Sequence, residues 1–305
     1  MVRGRLLFFA LIATACARPA PPPPVPADHT ATVQAWRDKH EVDYRRDWVS
    51  IAGLYFLSPG THTIGSDPQS NVVLGPHAAA KLGTIVAAAD GTVTFDAAPK
   101  IVVTQKDAVL ASPIVMKEAG KAPAPDISIG DIRLVVHESG DRLSLRIRDP
   151  QGELAKGFLG FTWFPIDASY RVVGRFIKDA ESKKLQVLNT FNDVDSYATD
   201  GVVEFTLQGQ TLRLRPFTTR PKRFYFVFRD ASGGHETYKT ARFLYADLLD
   251  DGTSVLDFNE AYNPPCAFNP YTTCPIPLKE NILPIKVLAG EKAYPVEVKL
   301  PGGGD

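Results

Sequence analysis

RFYFVFR, residues 223–229, places four aromatic residues and a valine between two arginines. Aromatic and β-branched side chains suit a pleated, buried surface, and successive side chains point to opposite faces, so this run presents apolar groups on both sides. Such a segment reads as a strand inside a packed sheet. Outward from it, other apolar runs have strand length and are broken by Gly, Pro and Asp. They are Ile101–Thr104, Ile132–His137, Leu143–Arg148, Val172–Ile177, Val202–Leu207, Thr237–Tyr245 and Val255–Phe258. That spacing predicts a mainly β chain.

One segment departs from the pattern. From Ala31 to Trp48 the apolar residues Val33, Trp36, Tyr44 and Trp48, with His40 or Val42, recur among many charges. This predicts a single amphipathic helix. The length suggests about two domains, and the turn signal Asp149-Pro150-Gln151-Gly152 is the candidate boundary. The expected organisation is a helix over residues 30–48, a β-sandwich-like unit over 49–150, and a second β-sandwich or barrel over 151–300. A single large β-domain is the alternative.

The N-terminus carries Arg3 and Arg5, a short apolar run and small residues before Cys16. This is the pattern of an export signal over residues 1–15. Leu11-Ile12-Ala13-Thr14-Ala15-Cys16 resembles a bacterial lipobox, which implies cleavage before Cys16, lipidation of its thiol and attachment to a bilayer. Simple secretion is the alternative. The sequence RPAPPPPVPA, residues 18–27, reads as a polyproline II stalk of roughly 30 Å. The expected location is the periplasmic face of the cell envelope. Loss of Arg3 and Arg5 leaves 32 basic residues against 34 acidic ones, a balance that argues against nucleic acid as a partner. With Cys16 consumed by lipid, Cys266 and Cys274 remain, and an oxidising compartment predicts a disulfide between them. The histidines lack zinc-like spacing from these cysteines, and no cofactor or metal is implied.

Several stretches carry residue types that bear on chemistry. GTHTIGSDPQSNVVL, residues 60–74, resembles the opening of a forkhead-associated β-sandwich. It departs where Ser66 follows Gly65 in place of the phosphate-binding arginine, so only the sandwich architecture carries over. The acidic stretch 192–201 offers oxygens for Ca²⁺, yet Ala198 stands where an EF-hand requires Gly, and a solvated turn is expected. The motifs of serine hydrolases, β-lactamases, zincins and phosphate-binding loops are absent. The richest polar ensemble is Asp230, His235, Thr237, Tyr238, Arg242, Tyr245, Asp257, Asn259, Tyr262 and Asn263. These residues either pin the following loop or floor a pocket. An unbroken strand from Thr237 would put Thr237 and Tyr245 on one face and Arg242 on the other, and Asp257 and Asn259 would likewise share a face. Gly233-Gly234 reads as a hairpin turn displaying His235.

Three blocks, DWVSIAGLYFLSPGTHTIGSDPQSNVVL from Asp47, FRDASGGHETYKTARFLYAD from Phe228 and LDFNEAYNPPCAFNPYTTCPIPLKENILPIKVLAGEK from Leu256, resemble the family catalogued as domain of unknown function 1684. Together they span nearly all of the expected mature chain. The last is the most specific, through Tyr262-Asn263-Pro264-Pro265-Cys266 and the spaced Cys274. Lys239-Thr240 departs from the small residues expected before Ala241. The resemblance implies a bacterial, often exported protein and carries over no activity. The leading expectation is an envelope lipoprotein that binds an unidentified ligand or partner. The alternatives are a hydrolase acting through Asp230, His235, Arg242 and Asp257, and a structural scaffold.

Overall fold

The computed structural model describes residues 25–299. The export signal, Cys16 and most of the proline-rich stalk lie outside the described residues. Two pairs of packed sheets follow one helix. The first pair is a six-stranded sheet, in the order Ile51–Phe56, Arg142–Arg148, Ile132–Ser139, Ile127–Ile129, Thr104–Gln105, Ala108–Val109, and a five-stranded sheet built from residues 60–117. They share a core of Ile64, Ile85, Phe95, Leu134, Leu145 and Ile147. The second pair is a four-stranded sheet, Gln210–Leu214, Val194–Leu207, Arg171–Leu188, Thr253–Asp257, and a three-stranded sheet, Phe217–Arg220, Arg223–Phe228, Arg242–Asp247. Phe205, Phe224, Phe226, Phe228, Leu244 and Leu256 fill the core between them. The chain is mainly β, as its alternation predicts, with sandwiches and no closed barrel among the described residues.

The strand 223–228 has apolar side chains on both faces because each face meets a different core. Phe224, Phe226 and Phe228 enter the second sandwich, whereas Tyr225 and Val227 enter a third cluster with Tyr44, Phe243, Tyr262, Phe268 and Cys274. This third cluster is the floor on which the helix lies.

The helix runs His29–Tyr44 and continues as a π-helical turn over Arg45–Val49. It packs Trp36, His40 and Tyr44 against that cluster and is tied down by polar contacts as well. His29 Nε2 lies 2.5 Å from Asp257 Oδ2, Arg37 donates to the carbonyls of Asn259 and Phe164, and the Tyr44 hydroxyl donates to the Asn263 carbonyl at 3.0 Å. Val42, one of the expected apolar positions, is instead exposed.

Three local expectations differ. The strand expected from Thr237 begins only at Arg242, because Ser232 accepts backbone bonds from His235, Glu236 and Thr237 and wraps the chain into a turn. The strand ending in Asp257 gives way to a 3₁₀ turn over Phe258–Glu260, capped by the Asp257 carboxylate on Asn259 N. Stretch 192–201 is mostly strand. Asp193 and Asp195 do not hang in solvent; they bind the Ser139, Arg142 and Gly140 groups of the first sandwich's hairpin.

Candidate functional site

Polar alternation on one strand builds one wall of the site. Leu145 and Ile147 face the first core, so Arg142, Ser144, Arg146 and Arg148 share the opposite face. His137 pairs with Ser144 across the neighbouring strand, which puts its ring on that same face. The helix brings Trp36, His40 and Tyr44, the π-turn brings Trp48, the second unit brings Tyr197, Tyr225, Phe243, Tyr245 and Tyr262, and the proline loop brings Thr273 and Cys274. Together they enclose an open cavity of about 480 Å³, within the range of roughly 300–1,000 Å³ of small-molecule sites.

The proline loop is held from both sandwiches. Asn269 Nδ2 donates to the Ile51 carbonyl at 2.7 Å, and its Oδ1 accepts from Tyr271 N. Thr190 Oγ1 donates to the Thr272 carbonyl at 2.7 Å and accepts from Cys274 N. His137 Nε2 is hydrogen-bonded to Thr273 Oγ1 at 2.8 Å. These bonds close the loop without a staple: Cys266 and Cys274 are free, buried thiols, and Cys266 N donates to Cys274 Sγ at 3.4 Å. The expected disulfide is therefore absent, its role of shaping the loop filled by buried amide and hydroxyl contacts. Burial pushes the Cys266 thiol well up, and Cys274 beside it adds to the effect.

Electrostatically the cavity has one strong feature. Arg146 is only 5% exposed, and among the described residues its Nε has no hydrogen-bond partner. Its guanidinium lies 5.6 Å from the centre of the Trp48 ring. Burial, and then the neighbouring Arg148, lower its affinity for a proton to a pKa of about 10. Burial also lowers His40 to about 4 and His137 to about 3, the latter with help from Arg146 and Arg148. Both imidazoles are thus neutral at physiological pH. His40 stacks on Trp36 at 4.8 Å and on Tyr44 at 4.5 Å, and its Nε2 lacks a partner among the described residues. Burial keeps Tyr44, Tyr225 and Tyr262 protonated by raising their pKa values further.

Of the ten residues expected from sequence, Tyr245 and Tyr262 line this cavity. Asp230 and Arg242 form a 2.9 Å ion pair inside the second unit, at 0% and 1% side-chain exposure. There Arg242 also donates to the Val287 and Ala289 carbonyls, and Asp230 accepts from Val287 N and from Ser232. Asn259 and Asn263 are pins: Asn259 bonds both backbone groups of Asp167, and Asn263 bonds the buried Glu291 carboxylate. Thr237 bonds Ser232 Oγ at 2.7 Å, and the Tyr238 hydroxyl donates to the Cys266 carbonyl. His235 is exposed. Asp257 lines a separate cavity of about 330 Å³ with His29, Arg171, Arg223 and Glu260, and Tyr245 is common to both cavities. Asp230, His235, Arg242 and Asp257 therefore do not converge.

Trp36, His40, Trp48, His137, Arg146 and Tyr197 also line the site, and the sequence assigns none of them to it. The one available signal was an arginine at the centre of the strand Leu143–Arg148, where an alternating pattern gives it a defined face.

Residues 156–292 match the family described as Protein of unknown function (DUF1684). Over that segment the chain belongs to this family. The DUF1684 segment holds the second sandwich and the proline loop, and it excludes the block from Asp47 on which part of the resemblance rested. The helix and the Arg146 strand likewise lie outside it. A solution NMR structure of an uncharacterized protein from Haloarcula marismortui is 30% identical, covering 46% of this chain and 80% of its own, with a TM-score of 0.39. No curated protein matches the chain.

Proposed function

We propose that the protein is an envelope lipoprotein, held at the membrane through Cys16, that binds a small planar ligand in the aromatic cavity without transforming it. The observation that carries this reading is the convergence of Trp36, Trp48, Tyr197, Tyr225, Tyr245 and Tyr262 on one open cavity of about 480 Å³. Tyr225 and Tyr262 are buried in the fold, but Trp36, Trp48, Tyr197 and Tyr245 are only half-buried, and a flat apolar ligand would cover their remaining surface at roughly 25 cal/mol per Å². The neighbouring polar clusters are engaged in holding the fold, as the Asp230–Arg242 pair is.

Saturation-transfer NMR on the full chain in detergent, with a panel of bicyclic aromatic compounds, tests the binding. Transfer that is lost in Trp36→Ala and Tyr262→Ala is expected; a panel that shows no transfer, or transfer unchanged in both variants, refutes the reading. Palmitate labelling of wild type against Cys16→Ala tests the anchor, and equal labelling removes it.

A further inference from the structure

We propose that Arg146 makes the aromatic cavity selective for a planar monocarboxylate, a step that rests on the binding reading above. The argument starts from the face that Arg146 shares with its neighbours. Arg142 pairs with Asp193 at 2.7 Å. Arg148 donates to the Asp47 carbonyl at 2.8 Å and reaches Asp126 at 4.0 Å. Arg133, on the adjoining strand, pairs with Asp126 at 3.1 Å. Each of these cations has a carboxylate. Arg146, more buried than any of them, has none among the described residues, and in its place it has the cavity.

A buried guanidinium without an anion is costly, and side chains in that position are retained where something supplies the countercharge. Its planar fork matches a carboxylate in two parallel hydrogen bonds. The rest of the lining limits the charge and shape of that anion. His40 and His137 are neutral, and no lysine lines the cavity, so a single positive charge faces the ligand and a monoanion balances it; a phosphate dianion would be left in excess. A cationic ligand, the usual guest of an aromatic cage, would meet Arg146 as a like charge. The body of the ligand lies against aromatic faces. A carboxylate at Arg146 and a flat ring between the tryptophans and tyrosines define the ligand class.

The test compares three probes of one shape, 2-naphthoate, 2-naphthamide and 2-naphthylmethylammonium, by isothermal titration calorimetry on the full chain, wild type and Arg146→Lys and Arg146→Met. In wild type naphthoate is expected to bind at least tenfold tighter than the amide, with the ammonium weakest. Arg146→Met brings acid and amide within twofold of each other while amide binding persists, which shows that the variant is folded. Arg146→Lys retains part of the preference. Equal binding of acid and amide in wild type, or a preference that survives Arg146→Met, overturns the inference and leaves the cavity reading intact. Binding of none of the three overturns both.

Discussion

Among the described residues Arg37, Arg146 and Arg242 lie buried, and the surroundings of the last two are opposite. Arg242 sits inside the second sandwich with the Asp230 carboxylate at 2.9 Å and two backbone carbonyls on its fork. Arg146 sits between the sandwiches with an aromatic ring beside it, an open cavity before it and no anion among the described residues. The first arrangement is closed in charge: Asp230 balances the guanidinium, although its Nε, like that of Arg146, has no hydrogen-bond partner among the described residues. The second is open. Burial alone does not separate them, nor does residue type; the presence of a carboxylate does.

The comparison can be broken most sharply at Arg242. Arg242→Ala leaves Asp230 as a buried, unpaired carboxylate, and removing one partner of such a pair typically costs about 3–5 kcal/mol. Urea unfolding of the variant is expected to show a loss of that order, and a loss below about 1 kcal/mol would place the pair among interactions that matter little.

A buried carboxyl sharpens the same contrast through pH. Burial raises Glu291 to a pKa of about 8, against the opposing pull of its Asn263 hydrogen bonds. A carboxyl raised above its unfolded value holds its proton better in the native state. Its contribution is therefore complete below the ordinary carboxyl range and is lost as pH rises through about 8. The loss is on the order of a few kcal/mol at about 1.4 kcal/mol per unit. Glu260, raised to about 7, adds a slope of the same sign. Glu291→Gln should flatten, though not abolish, the fall in melting temperature between pH 5 and 8. An unchanged slope would show that Glu291 is not the titrating group.

Arg146→Met is expected to move stability the other way. Relief of an unpaired buried charge, less the loss of a contact with Trp48 worth about 0.5–2 kcal/mol, should leave the variant more stable by about 1 kcal/mol. A clear destabilisation would mean that Arg146 braces the fold as Arg242 does. His235→Ala, at an exposed turn, should change stability by less than about 0.5 kcal/mol and leave naphthoate binding untouched; a larger effect on binding would bring the turn back into the site.

The fold was legible wherever a period of two persisted long enough. Phe224 through Phe228 show it, and so do Leu143 through Arg148. It was illegible where a local turn reorganised the backbone: the Ser232 carbonyl gathers three amides, from His235, Glu236 and Thr237, and interrupts the apparent strand. The acidic stretch misleads for a different reason. Asp193 and Asp195 look solvated locally, and their partners at Ser139–Arg142 lie more than fifty residues away. The cavity was hidden by the same distance. Sequence could put Arg146 on a face, but what that face looks at is decided by a helix about a hundred residues earlier and a loop more than a hundred residues later. Tyr245 and Tyr262 were visible because they fall within one polar ensemble; Trp36 and Trp48 read only as the apolar face of a helix.

The helix ties reach far along the chain. His29, Arg37 and Tyr44 are secured by partners 219 to 228 residues downstream. As the protein is made, this helix has none of these partners until the strand Thr253–Asp257 and the residues just after it have emerged, and contacts across so long a loop form late in folding. The cavity is thus incomplete until the proline loop joins the helix, and a molecule able to hold a ligand there has already brought the helix, both sandwiches and that loop together.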